Sequence, residues 1–114
     1  MEFLKIKVCL LYIIFVAVSS SYAQVNQKIL ESVFSRSYEL EKKGDFLAAA
    51  EEMKKVYDET SYEINLRLGW LHYNAGLFDE SVIYYSRARQ LKPYSEEARF
   101  GLILPKAAIG DWDD

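Results

Sequence analysis

The chain has 114 residues and a formal net charge of −3, with 51% apolar and 27% charged residues. That composition excludes an intrinsically disordered chain, and the length limits the fold to one small domain. The acidic balance, with no basic stripe to neutralise phosphates, excludes nucleic acid as a partner.

The first element in chain order reads as a leader. Lys5 and Lys7 form a basic start, residues 8–18 are an unbroken apolar run, and Ser19, Ser20, Ser21, Tyr22 and Ala23 make a small-residue end. That order predicts a secretory signal peptide over 1–23, cut between Ala23 and Gln24. The apolar run is roughly half the ~20 residues a membrane span needs, so no stable span is expected after cleavage. Cys9 lacks the small residues that precede a lipid-modified cysteine. Removing 1–23 takes away Lys5, Lys7 and Glu2, so the charge of −3 becomes −4, and the only cysteine leaves with them. The mature chain is then exported, periplasmic or secreted, with no disulfide, thiolate metal site or cysteine nucleophile, and must be stable by packing alone.

Residues 24–114 read as helices by their ~3.6-residue apolar period. Val25, Ile29, Val33 and Leu40 mark one face of the first. Leu47, Ala50, Met53 and Tyr57 mark the second, and Ile64, Leu68 and Leu71, with Tyr73, the third. The fourth carries Val82, Tyr85, Ala88 and Leu91. The fifth carries Phe100, residues 102–104 and residues 107–109. Pro93 stops the fourth helix, Ser95 can cap the fifth, and Glu96 and Glu97 follow where the helix dipole favours anions. Glu39–Lys43 and Glu51–Lys55 are expected i,i+4 pairs. No stretch alternates with period two, so no sheet is predicted. Three places share a glycine followed two residues later by an aromatic: Gly44 with Phe46, Gly76 with Phe78, and Gly110 with Trp112. The glycines lie 32 and 34 residues apart, close to the ~34-residue period of helix–turn–helix repeats.

Residues 65–93 strongly resemble one unit of the tetratricopeptide (TPR) repeat family. Leu68 and Gly69 match its Leu-Gly pair, Gly76 and Phe78 its turn, Tyr85 its large second-helix aromatic, Ala88 the small residue after it, and Pro93 its terminal proline. Asn65, His72 and Ser81 depart from the usual tryptophan, tyrosine and alanine. Ser37, Gly44, Phe46, Ala49, Met53 and Val56 fit an earlier unit, whose closing proline is absent. Leu102, Gly110 and Trp112 fit a later one, in which Ile103 stands where a small residue belongs. The resemblance implies an all-α solenoid of about two and a half repeats and five helices, with units about 30–61, 62–95 and 96–114. The last unit is incomplete, which predicts a truncated reading frame, a homodimer through the exposed last helix, or a partner that supplies the missing helix. Pro105 removes a backbone bond to Gly101 and should kink the fifth helix.

The resemblance also implies a non-catalytic scaffold that holds a protein or peptide partner in a concave groove. Carried over by position, the groove residues are Phe34, Tyr38, Leu66, Trp70, Tyr73, Asn74, Phe100 and Leu104. Aromatics dominate this set, as they do binding hot spots. Glu63, Leu66 and Trp70 occupy the surface where the family's carboxylate clamp would stand, so an apolar or aromatic ligand is expected. The alternative is a structural segment of a longer solenoid. No catalytic, cofactor or metal site is expected. His72 is the only histidine and has no nitrogen or sulfur neighbours for zinc. Glu51-Glu52, Glu96-Glu97 and Asp111, Asp113 and Asp114 read as solvated faces or helix starts. Tyr84 and Tyr85 read as interhelix core.

Overall fold

The structure is a computed structural model that describes residues 1–113. Its described residues form five α-helices and no strand: α1 (Glu2–Lys42), α2 (Phe46–Lys54), α3 (Tyr62–Asn74), α4 (Phe78–Leu91) and α5 (Glu96–Ala108). The chain divides into two units, Met1–Ser32 and Val33–Asp114.

The first unit is helical from Glu2 onward, and no glycine or proline interrupts α1 anywhere along its length. Ser19, Ser20 and Ser21 hydroxyls donate to the Val16 and Ala17 carbonyls at 2.9 to 3.0 Å, satisfying themselves within the helix. No break marks the expected junction at Ala23–Gln24. An 18-residue window here has a mean hydropathy of 2.0, long and apolar enough to cross a membrane. Val25 and Ile29, expected to share a face with Val33 and Leu40, are 55% and 51% exposed. Val33, in the second unit, is the member of that set that is buried.

In the second unit α1, α3 and α5 end alike. Gly44, Gly76 and Gly110 have φ of +79°, +78° and +76°. Each glycine N–H donates to the carbonyl three residues back, and the next N–H to the carbonyl five back: Gly44 to Glu41 and Asp45 to Leu40, Gly76 to Tyr73 and Leu77 to His72, Gly110 to Ala107 and Asp111 to Lys106. This pair of bonds satisfies the last carbonyls of each helix and needs a left-handed residue at its corner. A Cβ at any of the three would meet nothing within 4 Å, so the requirement is on the backbone and not on space.

Beyond each turn the helices start differently. Asp45 caps α2 by accepting from Ala48 N at 3.1 Å, and Ser61 caps α3 by accepting from Ile64 N at 3.3 Å. Ser95 stands at the N-cap of α5 without capping it, because its hydroxyl is hydrogen-bonded to Tyr62 Oη instead. α2 buries Ala49, Ala50 and Met53, while Leu47 is 50% exposed and Tyr57 lies beyond the helix end. α5 runs through Pro105 to Ala108, and the buried proline packs as a core residue. The expected Glu39–Lys43 and Glu51–Lys55 pairs do not form. Lys43 lies in the turn after α1, and the tightened end of α2 brings Lys54 to 2.9 Å of Glu51 and Lys55 to 2.6 Å of Glu52. Arg36 adds a second cation at 2.8 Å from Glu52.

α3 packs on α2, α4 and α5, and α4 on α5. α3, α4 and α5 meet at Tyr85, which is 4% exposed. A Cβ at Gly69 would stand 2.7 Å from its ring, and one at Gly101 2.2 Å. Only hydrogen fits at either position, so the ring is held between the backbones of α3 and α5. Burial pushes the Tyr85 hydroxyl up to about 12. The three residues that depart from the repeat pattern are also buried, each with a hydrogen bond. Asn65 Nδ2 donates to Ser61 O at 2.8 Å, and its Oδ1 accepts from Tyr57 Oη at 3.0 Å. Ser81 Oγ donates to Gly69 O at 2.7 Å. His72 stacks on Tyr84 at 4.9 Å, and its Nδ1 lies 2.7 Å from Leu68 O. Burial pushes the His72 pKa below its usual value, which favours the neutral ring.

Gly101→Ala forces a methyl into the Tyr85 ring and is expected to cost about 1–3 kcal/mol of stability. Urea unfolding followed by far-UV circular dichroism measures it. Adding Tyr85→Leu should recover part of the loss, and an unchanged midpoint in Gly101→Ala would show that the contact can relax.

Candidate binding groove

Four side chains recur along α3 at i, i+3, i+4 and i+7: Glu63, Leu66, Arg67 and Trp70. That spacing places them on one helical face. The same spacing on α5 gives Glu97, Phe100, Gly101 and Leu104, each 34 residues further on. The two stripes and Phe34 and Tyr38 of α1 line one groove of about 890 Å³, with Tyr62, Tyr85 and Ile103 completing it. The volume lies in the range that accommodates a drug-sized ligand.

The sequence-derived set divides on this groove. Phe34, Tyr38, Leu66, Trp70, Phe100 and Leu104 line it, and Tyr73 and Asn74 do not. Tyr73 packs on Phe78 at 5.7 Å, and Asn74 Nδ2 donates to Trp70 O at 2.8 Å, closing the last turn of α3 on itself. Four of the six lining residues keep substantial exposure: Tyr38 49%, Trp70 40%, Phe100 65% and Leu104 42%. Large apolar side chains held in the open beside one another are the usual mark of a binding surface.

Beneath the apolar lining lies a polar network that the sequence pattern does not announce. Arg67 is 9% exposed. Its Nε and Nη2 donate to Ser37 Oγ at 3.2 and 2.9 Å, and Nη2 donates to Glu41 Oε2 at 3.0 Å. The guanidinium lies 3.8 Å from the centre of the Tyr38 ring. Glu41 Oε1 accepts from Trp70 Nε1 at 2.9 Å, and Ser37 Oγ donates in turn to Ala49 O at 3.0 Å. One carboxylate therefore holds both the buried cation and the indole, fixing Trp70 across 29 residues of sequence. The signal for Arg67 was present as a charged residue inside the apolar stripe of α3. The partner Glu41 carries no such signal, because it reads as an ordinary charged residue near a helix end.

At the rim, Lys92 Nζ lies 3.5 Å from Glu63 Oε1 and 4.2 Å from the centre of the Tyr62 ring. His72 and the Glu51-Glu52 pair lie outside the groove lining. Among the described residues no three His, Cys, Asp or Glu side chains group closely enough to hold a metal ion. The sequence matches no protein-family model, and no curated protein is significantly similar to it.

Glu41→Ala leaves the Arg67 guanidinium buried without its counter-charge and is expected to cost about 3 kcal/mol. Trp70→Ala removes a side chain that is 40% exposed and should cost about 1 kcal/mol. Urea titrations of the two variants test the order, and a Glu41→Ala midpoint close to wild type would mean the network adds nothing to the fold.

Proposed function

We propose that the protein is an exported, non-catalytic TPR-type module that binds a peptide or protein segment in the groove between α1, α3 and α5. The observation that carries this reading is the groove itself: an open row of aromatic and aliphatic side chains, with its central Trp70 oriented by a buried ion pair. Orienting an exposed side chain in advance reduces the entropy lost on binding. An oriented aromatic that stays 40% exposed suits recognition.

Support for the repeat comes from geometry at matching offsets. The three glycine turns use the same pair of hydrogen bonds. Ser37 donates to Ala49 O, and Ser81 to Gly69 O, so the same two positions of successive units are joined with donor and acceptor exchanged. The groove stripes of α3 and α5 repeat at 34 residues. In such an array the first helices of successive units face the ligand, and here the groove draws its walls from α1, α3 and α5, with Tyr85 of α4 as the single lining residue from another helix.

Random peptides can probe the groove directly. Dodecapeptides selected from a displayed library against the full chain, expressed from Met1, should lose about tenfold or more in affinity for Trp70→Ala, with the helical circular dichroism signal unchanged. Loss of the helical signal would place Trp70 in the core. Selected peptides indifferent to Trp70→Ala and Phe100→Ala would move the site off this groove.

Export rests on the basic start, apolar run and small-residue junction of residues 1–23, carried on an exposed helix. Intact-mass measurement of the protein recovered outside the cytoplasm should give a chain beginning at Gln24. A full-length chain held in the membrane fraction would make the same helix an anchor.

A further inference from the structure

The groove is apolar along its length, so the class of peptide it accepts is decided by its few charges. Three ionisable acidic or basic side chains line it: Glu63, Arg67 and Glu97. Arg67 brings almost no net positive charge to a ligand. It is buried, its guanidinium is 3.0 Å from Glu41 Oε2, and its remaining contacts are Ser37 and the Tyr38 ring. Glu41 in turn has its second oxygen committed to Trp70. An incoming carboxylate would have to displace Glu41 from both.

The two glutamates stand differently. Glu97 is exposed, and among the described residues no Lys or Arg lies within ion-pair distance of it. Glu63 is paired with Lys92 at 3.5 Å, but both side chains are more than half exposed. A pair of that kind is weak and exchanges readily for another cation. The two carboxylates occupy the same position of the stripes on α3 and α5, so they recur along the groove at the edge of its apolar row. The lining rings of Tyr38 and Tyr62 already meet cations, Arg67 and Lys92, so a ligand's cation is left to the two carboxylates.

We infer that the groove takes an amphipathic cationic peptide segment of a partner protein, with one or two Lys or Arg side chains set beside aliphatic or aromatic residues. The cations face Glu97 and Glu63, and the apolar side chains lie on Leu66, Trp70, Phe100 and Leu104. This inference rests on the groove being the binding site.

The composition of the selected dodecapeptides tests it. Peptides that depend on Trp70 should be rich in Lys or Arg next to Leu, Phe or Trp. A synthetic copy of one, titrated by fluorescence anisotropy at low salt, should bind the double variant Glu63→Gln/Glu97→Gln about threefold to tenfold more weakly. The difference should shrink at high salt. The charge-matched control Glu51→Gln/Asp79→Asn, away from the groove, should bind as wild type does. Trp70-dependent peptides that are acidic or uncharged would overturn the cationic assignment and leave the groove standing. Equal weakening by the control pair would overturn it too, by reducing the effect to the overall negative charge. If no peptide is enriched, or none depends on Trp70, the groove reading fails and this inference fails with it.

Discussion

The ring of Tyr85 sets the distances on which the rest of the second unit depends. It lies against Gly69 of α3 and Gly101 of α5, where added Cβ atoms would stand 2.7 and 2.2 Å away. α4 thus draws its two neighbours in until their backbones meet the ring. The close approach brings Tyr62 of α3 against Ala88 of α4 and Ala98 of α5, all buried. It also lets Tyr62 reach Ser95, which gives up its capping role to bond the phenol. The start of α5 is thereby fixed by a contact with another helix and not by its own cap. With α3 and α5 held at that distance, their outward stripes stand side by side and the groove between them follows.

A second constraint acts at the other wall. Burying Arg67 is costly unless its charge and donors are met. Ser37, Glu41 and the Tyr38 ring meet them from one turn of α1. An ion pair of this kind is weak evidence for stability, but here it gathers a hydroxyl, a carboxylate and an aromatic face of α1 around one guanidinium of α3. The same carboxylate then holds the Trp70 indole. The network thus couples the packing of α1 to the pose of the groove's largest aromatic, linking fold to site through a single glutamate.

Much of this architecture was legible in the chain. The three glycines announce turns, because a left-handed corner admits little else, and all three adopt φ near +78°. Leu68, Leu71, Tyr85 and Ala88 announce the core by helical spacing, and all are buried. Gly69 was readable as half of the Leu-Gly pair, but Gly101 was not, since its reason is the ring of Tyr85 on another helix. The same limit explains the groove. Phe34, Leu66 and Phe100 can be carried over by position, whereas the Ser37–Arg67–Glu41–Trp70 network joins residues about 30 apart, and no local pattern encodes such a pairing. Tyr73 and Asn74, carried over with them, stand further along α3 outside the lining, where the chain is already closing into the Gly76 turn. The ion pairs on α2 slipped from i+4 to i+3 because helix spacing stops applying where the last turn tightens.

α5 carries a packed face and an exposed apolar pair on one helix. Its inner face carries Ala98, Gly101, Leu102 and Pro105, all buried, three of them small or compact enough to sit against α3 and α4. Phe100 and Leu104, which flank Gly101 toward the groove, remain 65% and 42% exposed. The exposed parts of these side chains add nothing to the fold, since the hydrophobic term scales with the area removed from water. Changes on the inner face therefore act through the Tyr85 contact and the whole fold, while changes at Phe100 or Leu104 leave that contact untouched.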